Sequence, residues 1–336
     1  MAKAGLQGRD TTIVQVEAPP DVAERARAAT DTREAQGFGI YDALLLGMVV
    51  TWAANPAAIK WALQYMEPLS FNALRFVLAS LVPVGILLAG REGFRWHRGD
   101  GPKLFLLGLL GHGLYQSVFI IAISLTLAGN VALILSINPA FIALFSALLG
   151  FERIRGYAWA GLGLTLAGVG LVVLGSGQKL ELGAQLLGDV LMVAVTMVWA
   201  LYTVFSQRLL TRYSAVKLNA LTMPIGATAL LLVAAPSLNA AAPKMLTLPP
   251  LFWPILAASG LLAVSAAYII WNKGLQKLGA TRTAVYSNLV PVLAAAISFF
   301  VLGEPLGWGF WAGMILVLAG VSLTRFGGRL GLGVRG

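Results

Sequence analysis

Polar side chains set at helical spacing within long apolar stretches of this 336-residue chain describe a surface for binding rather than for bond breaking. His112, Tyr115, Gln116 and Phe119 recur at i, i+3, i+4 and i+7, so an α-helix carries them on one face. Trp199, Tyr202 and Thr203, flanked by Thr196 and Ser206, repeat the pattern, as do Ser265, Tyr268 and Asn272. Trp52 stands one turn before Asn55, and Pro56 follows, where the missing N–H releases a backbone carbonyl. Polar groups inside an apolar helix must pair with one another or face water. Each face therefore lines a cavity or forms a hydrogen-bond ladder between helices.

Arg75 is the one cation clearly inside an apolar stretch, and two readings stand for it. It binds a substrate carboxylate, for which a guanidinium fork is suited; or it is held structurally, by a carboxylate such as Glu67 or by backbone carbonyls. Trp52 and Trp199 form aromatic walls of a cavity or ordinary helix packing. Asn288 lies three residues before Pro291, and Asn138 directly before Pro139. Pro56, Pro139 and Pro291 are the expected hinges, since proline interrupts a helical ladder.

Covalent and metal chemistry lack their raw materials. The chain has no cysteine, only His97 and His112, and none of HExxH, GxxxxGK[ST] or GxSxG. No carboxylate falls at the middle of an apolar stretch, so an intramembrane aspartyl enzyme is excluded, and His112 is the only candidate for proton coupling. The expectation is a protein that is not an enzyme and carries no cofactor or metal.

The elements that position these residues follow from composition. Hydrophobic residues make up 58% of the chain and charged ones 11%, against roughly 25% in soluble domains. Residues 1–40 hold 11 of the 38 charges and no apolar run long enough for a signal peptide, which predicts a disordered cytosolic tail. Beyond it, apolar stretches near 41–60, 68–90, 103–124, 129–150, 156–175, 185–206, 217–236, 251–272, 281–302 and 306–325 each match the length of a membrane helix. With the tail inside, 20 of the 24 Lys and Arg fall in cytoplasmic segments and only Lys179 and Lys244 in outer loops. That asymmetry places both termini in the cytoplasm and assigns the charge of +10 to lipid contact, not nucleic acid. Trp61, Trp253, Trp308 and Trp311 then fall near outer helix ends, and Trp96, Trp159 and Trp271 near inner ones. Lys60 sits at an outer end and snorkels.

The chain also repeats itself. Residues 128–172 align without a gap on 280–324, with 15 identities in 45 positions, Pro139/Pro291, Glu152/Glu304 and Trp159/Trp311 among them. A shift of 147 pairs Trp52-Ala53 with Trp199-Ala200 and Asn72-Ala73-Leu74 with Asn219-Ala220-Leu221. Five helices per copy is odd, so the second copy enters the membrane from the opposite side, the architecture of many secondary transporters. Gly156, Ala160, Gly163, Ala167 and Gly170, with Gly309 and Gly313, form small-residue stripes expected to serve as packing scaffold.

The segments NPAFIALFSALLGFERI (138–154) and GDVLMVAVTMVWALYTVFSQRL (188–209), with VPVLAAAISFFVLGEPL (290–306) and GMVVTWAANPAAIKWAL (47–63), resemble the EamA repeat of the drug/metabolite transporter superfamily. The resemblance covers about 41–325 and is greatest to YddG-type exporters of aromatic amino acids. It implies an all-α polytopic membrane protein of ten transmembrane helices in two inverted five-helix repeats, 41–176 and 185–325, between the tails 1–40 and 326–336. The implied activity is export of aromatic and other neutral amino acids across the bacterial inner membrane by a monomer, as a uniport by alternating access. Another small metabolite, a sugar-phosphate or drug-like molecule, or proton-coupled antiport is the alternative. The expected substrate path comprises Trp52, Asn55, Arg75, His112, Tyr115, Gln116, Trp199, Tyr202, Thr203, Tyr268 and Asn288.

Overall fold

The long apolar segments are helical because a backbone removed from water satisfies its own polar groups most simply in a helix. The computed structural model describes residues 39–90, 92–149, 156–174, 183–277, 283, 286–287, 289–303 and 306–326. Among them run α1 (Ile40–Ala62), α2 (Pro68–Ala89), α3 (Gly101–Leu125), α4 (Ala128–Leu148), α5 (Gly156–Leu174), α6 (Ala184–Leu210), α7 (Ala215–Ala241), α8 (Phe252–Lys277), α9 (Leu289–Leu302) and α10 (Trp308–Phe326). Seven of these, α1–α4 and α6–α8, are long and apolar enough to cross a membrane, and α5, α9 and α10 contain shorter apolar stretches. The chain is an all-helical, polytopic membrane protein. The expected tails 1–40 and 326–336 lie almost wholly outside the described residues.

Local signals set the helix ends. Glu67 caps α2 by accepting the Ser70 N–H at 3.0 Å, and Pro68 occupies the first turn, where its missing N–H costs nothing. Ser214 caps α7 through the Lys217 N–H at 3.2 Å. Gly303 ends α9 with φ of 65°, the left-handed conformation that favours glycine.

Two helices depart from α geometry at corresponding places. Leu109–Leu114 of α3 and Ser259–Ala266 of α8 are π-helical, and a shift of 152 carries the whole of the first onto residues 261–266 of the second. Each wide turn packs on a partner helix, α3 on α7 and α8 on α2. A Cβ on Gly108 would stand 2.7 Å from the Thr222 carbonyl oxygen, and one on Gly260 2.6 Å from that of Arg75. Only glycine permits these approaches. In α4 the helix breaks at Ser136–Ile137 and restarts at Asn138, with Pro139 in its first turn.

The α5·α10 pair is the most extensive contact of the fold. Its seam is not the stripe that residue size suggested, since Gly156, Gly163 and Gly170 meet nothing. The contact runs instead through Gly161, Thr165 and Gly168 against Gly313, Val317 and Gly320. Small residues occupy both faces of α5, so size alone could not choose between them. Outward-facing Trp96, Trp159, Trp253, Trp308 and Trp311 are exposed. Trp271 is the exception: at 5% exposure it faces inward rather than toward an interface.

Candidate binding site

The polar residues of α1, α2, α3 and α8 form one connected network. Arg75 is 1% exposed, two turns into α2. Its Nη2 donates to Gln116 Oε1 at 2.6 Å and its Nη1 to Ser259 Oγ at 3.3 Å. Ser259 in turn donates to Asn55 Oδ1 at 2.6 Å. Gln116 Nε2 donates to the Tyr268 hydroxyl at 3.0 Å, and the Gln116 carbonyl accepts from Asn72 at 2.7 Å. The Phe119 ring lies 5.8 Å from the guanidinium. No described carboxylate pairs with Arg75: Glu67 is exposed and turned to Ser70, which removes the structural pair considered for it. Neutral hydrogen bonds hold the charge in place without neutralising it.

This network borders a cavity of about 290 Å³, near the lower limit for small-molecule sites. Of the residues expected along a path, Trp52, Asn55, Arg75, Tyr115, Gln116, Trp199, Thr203 and Tyr268 line it, together with Pro56 and Pro139 of the expected hinges. Trp199 packs at 5.0 Å from Tyr115 and 4.9 Å from Tyr268, while Trp52 stands 5.6 Å from Trp271 and donates its indole N–H to the Ala263 carbonyl at 2.9 Å. Aromatic rings thus form much of the lining, with Phe119 beside the guanidinium.

His112 and Tyr202 are not in that wall. His112 is fully buried, shares a hydrogen bond with Thr222 Oγ1 at 3.1 Å, and sits among the rings of Phe76, Tyr202 and Tyr268 at 5.5, 5.0 and 6.0 Å. The i, i+3, i+4 rule failed here because His112 falls within the π-helical turn, which rotates it off the face of Tyr115, Gln116 and Phe119. Thr196, Thr203 and Ser206 return their hydroxyls to carbonyls of α6 itself. Asn288 lies outside the described residues. Pro291 is buried near the start of α9, and Pro56 lies within an unbroken α1, leaving Pro139 as the proline at an observed break.

Sequence reasoning missed several lining residues, among them Trp271, Ser136 and Gln207. For Trp271 a signal existed: the shift of 152 lays it on Phe119, just as it lays Tyr268 on Gln116. Lys60 donates from Nζ to the Thr126 carbonyl at the α3–α4 junction. Thr126 donates to Asp189, a buried carboxylate that also accepts from Asn130 at 3.2 Å. These groups gather the end of α1, the α3–α4 junction and the start of α6.

The EamA-like transporter family matches this sequence twice, over residues 39–174 and 186–326. The chain belongs to the EamA-like transporter family. A Bacillus subtilis relative, the uncharacterized transporter YyaM, is 30% identical over 288 residues, covering 84% of this chain and 92% of its own. A Salmonella typhimurium protein named "Probable amino-acid metabolite efflux pump" is 29% identical over 303 residues, covering 85% and 95%. One crystal structure superimposes with a TM-score of 0.59 at 22% identity, covering 86% of this chain and 98% of its own, and shows a shared fold.

Proposed function

We propose that this protein exports neutral amino acids, aromatic ones included, across a bacterial inner membrane by alternating access. The observation that carries the reading is the cavity itself: a buried guanidinium with no described carboxylate partner, in an aromatic-lined cavity, matches a carboxylate joined to an apolar side chain. The amino-acid metabolite efflux pump among the relatives supports the same substrate class.

Two inverted five-helix repeats, 41–176 and 185–325, supply the motion, with both termini in the cytoplasm and ten helices in the membrane. Support comes from contacts that occur in matched pairs, Gly108 on Thr222 with Gly260 on Arg75, and Gly168 on Gly313 with Gly320 on Gly161. The cavity lining extends to Ser146, Gln207 and Leu275, near helix ends that the positive-inside pattern makes cytoplasmic. The Asp189–Thr126–Asn130 cluster then closes the outer end, and Pro139, Pro291 and Pro56 absorb the bending as the chain rocks. Uniport fits a path whose described lining has Arg75 as its only charged side chain.

Uptake of labelled phenylalanine by liposomes holding the purified chain tests this, with and without a pH gradient and against empty liposomes. Saturable uptake indifferent to the gradient is expected. Gradient-driven accumulation would replace uniport by proton coupling, and absence of uptake would remove the substrate class.

A further inference from the structure

The charge inside the cavity distinguishes between substrates that share a carboxylate. Arg75 is the only charged side chain among the described lining residues. A guanidinium has five N–H donors; Gln116 and Ser259 take two, and Nε has no partner. The described carboxylates are engaged elsewhere. Asp42 accepts from Tyr286, Glu67 from Ser70, Glu92 from Ser214, Asp100 from Lys103 and Tyr213, and Asp189 from Thr126 and Asn130.

A zwitterion entering this site leaves its net charge unchanged. The carboxylate meets Arg75, but the ammonium is then desolvated against neutral acceptors and ring faces, beside a like charge. A monoanion brings the site to zero and adds no second ion needing a partner. In a low-dielectric cavity the second arrangement is favoured, because an unpaired buried charge is costly. Resting on Arg75 as the carboxylate site of the proposed transport cavity, we infer that the protein carries aromatic monocarboxylates without an ammonium group, aryl 2-oxo acids as the representative class. It binds them more tightly than the amino acid of the same side chain. Each cycle then moves one negative charge outward, so the inside-negative membrane potential itself drives export without a coupled ion.

The test uses purified full-length protein in liposomes, with phenylpyruvate, phenylalanine and phenethylamine as probes. Phenylpyruvate is expected to displace labelled phenylalanine at a concentration at least about tenfold lower than unlabelled phenylalanine requires, and phenethylamine to displace none. With valinomycin and a tenfold potassium gradient, phenylpyruvate is expected to accumulate about tenfold on the positive side and to follow the gradient when it is reversed, while phenylalanine distributes evenly. Arg75→Gln should abolish the preference for the oxo acid, and the potential dependence of the unaltered protein decides the matter if that variant does not fold. Transport of phenylalanine that phenylpyruvate fails to inhibit would overturn the inference and leave amino-acid export standing. Binding of neither compound would overturn both.

Discussion

Arg75 and Thr222 occupy equivalent positions of α2 and α7, since the shift of 147 that superimposes Asn72 on Asn219 carries one onto the other. Their backbones are treated alike: each carbonyl faces a glycine in or directly before a π-helical turn, Gly260 and Gly108 respectively. Their side chains are not. Arg75 reaches across to Gln116 and Ser259 at the cavity wall, whereas Thr222 turns back to its own Leu218 carbonyl and to His112. The two regions therefore share a scaffold and differ in chemistry. Matched backbone contacts serve the architecture, and the departure from symmetry marks where a ligand would be recognised.

Removing the cation should give the largest effect. Arg75→Ala loses two charge-assisted contacts to a carboxylate, about 3 kcal/mol, so phenylalanine affinity should fall by roughly 100-fold. Arg75→Lys, which keeps the charge but not the fork, should recover only part of it. Binding titrations, with a melting curve to confirm folding, measure both. An unchanged affinity in a folded Arg75→Ala protein would make the asymmetry structural.

The paired tryptophans sharpen the same comparison, because both line the cavity but in different company. Trp199 is 7% exposed and packed between Tyr115 and Tyr268; Trp52 is half-buried and pinned by its bond to Ala263. Trp199→Ala and Trp52→Ala should each weaken phenylalanine transport by about tenfold or more, from lost stacking and apolar contact, and alanine transport only a few-fold. Competition between the two amino acids reads the difference. Equal losses for both would assign the rings to helix packing.

On the other side of the comparison, His112→Val installs the residue found at the equivalent position 264. Thr222 keeps its bond to Leu218, so no hydroxyl is stranded. Ring contacts with Phe76, Tyr202 and Tyr268 are lost, which should cost about 1–2 kcal/mol of stability. Transport should change by less than about threefold, since the ring is absent from the cavity wall. A loss of pH sensitivity in this variant would instead put His112 in the transport path.

The helices and their approximate ends were legible because each apolar stretch is bounded by caps, prolines and basic loops. Much of the cavity lining was legible too, since Tyr115, Gln116, Trp52, Trp199 and Tyr268 needed only helical spacing and the internal repeat. Spacing stopped being reliable where the helix stopped being α. Within Leu109–Leu114 the wider turn moves His112 away from the face it shares on a 3.6-residue wheel, and no residue there signals the change. Trp271 was misplaced for another reason, namely that an aromatic near a helix end is ordinarily an interface residue. The partners of Lys60 and Asp189 depend on how four helix ends converge, which is a tertiary fact.

The smallest effect belongs to the loops that tie α2–α3 to α6–α7, away from the cavity. There Asp100 is buried and accepts from Lys103 at 3.2 Å and from the Tyr213 hydroxyl at 3.1 Å, with Arg212 3.5 Å away. The bond from Lys103 first, then that from Tyr213 and the two cations, hold its carboxyl below the ordinary carboxylate value. A depressed value means that the folded state favours the ionised form. Its contribution is therefore complete above the unfolded carboxylate pKa, about 3.9, and is lost as pH falls through the lower folded value. Between pH 5 and 8 no change from this group is expected. Asp100→Asn should accordingly lower the melting temperature by the same small amount across that range, with phenylalanine transport intact at every pH. A transport defect that appeared in this variant would extend the functional asymmetry beyond Arg75, to the α2–α3 and α6–α7 loops.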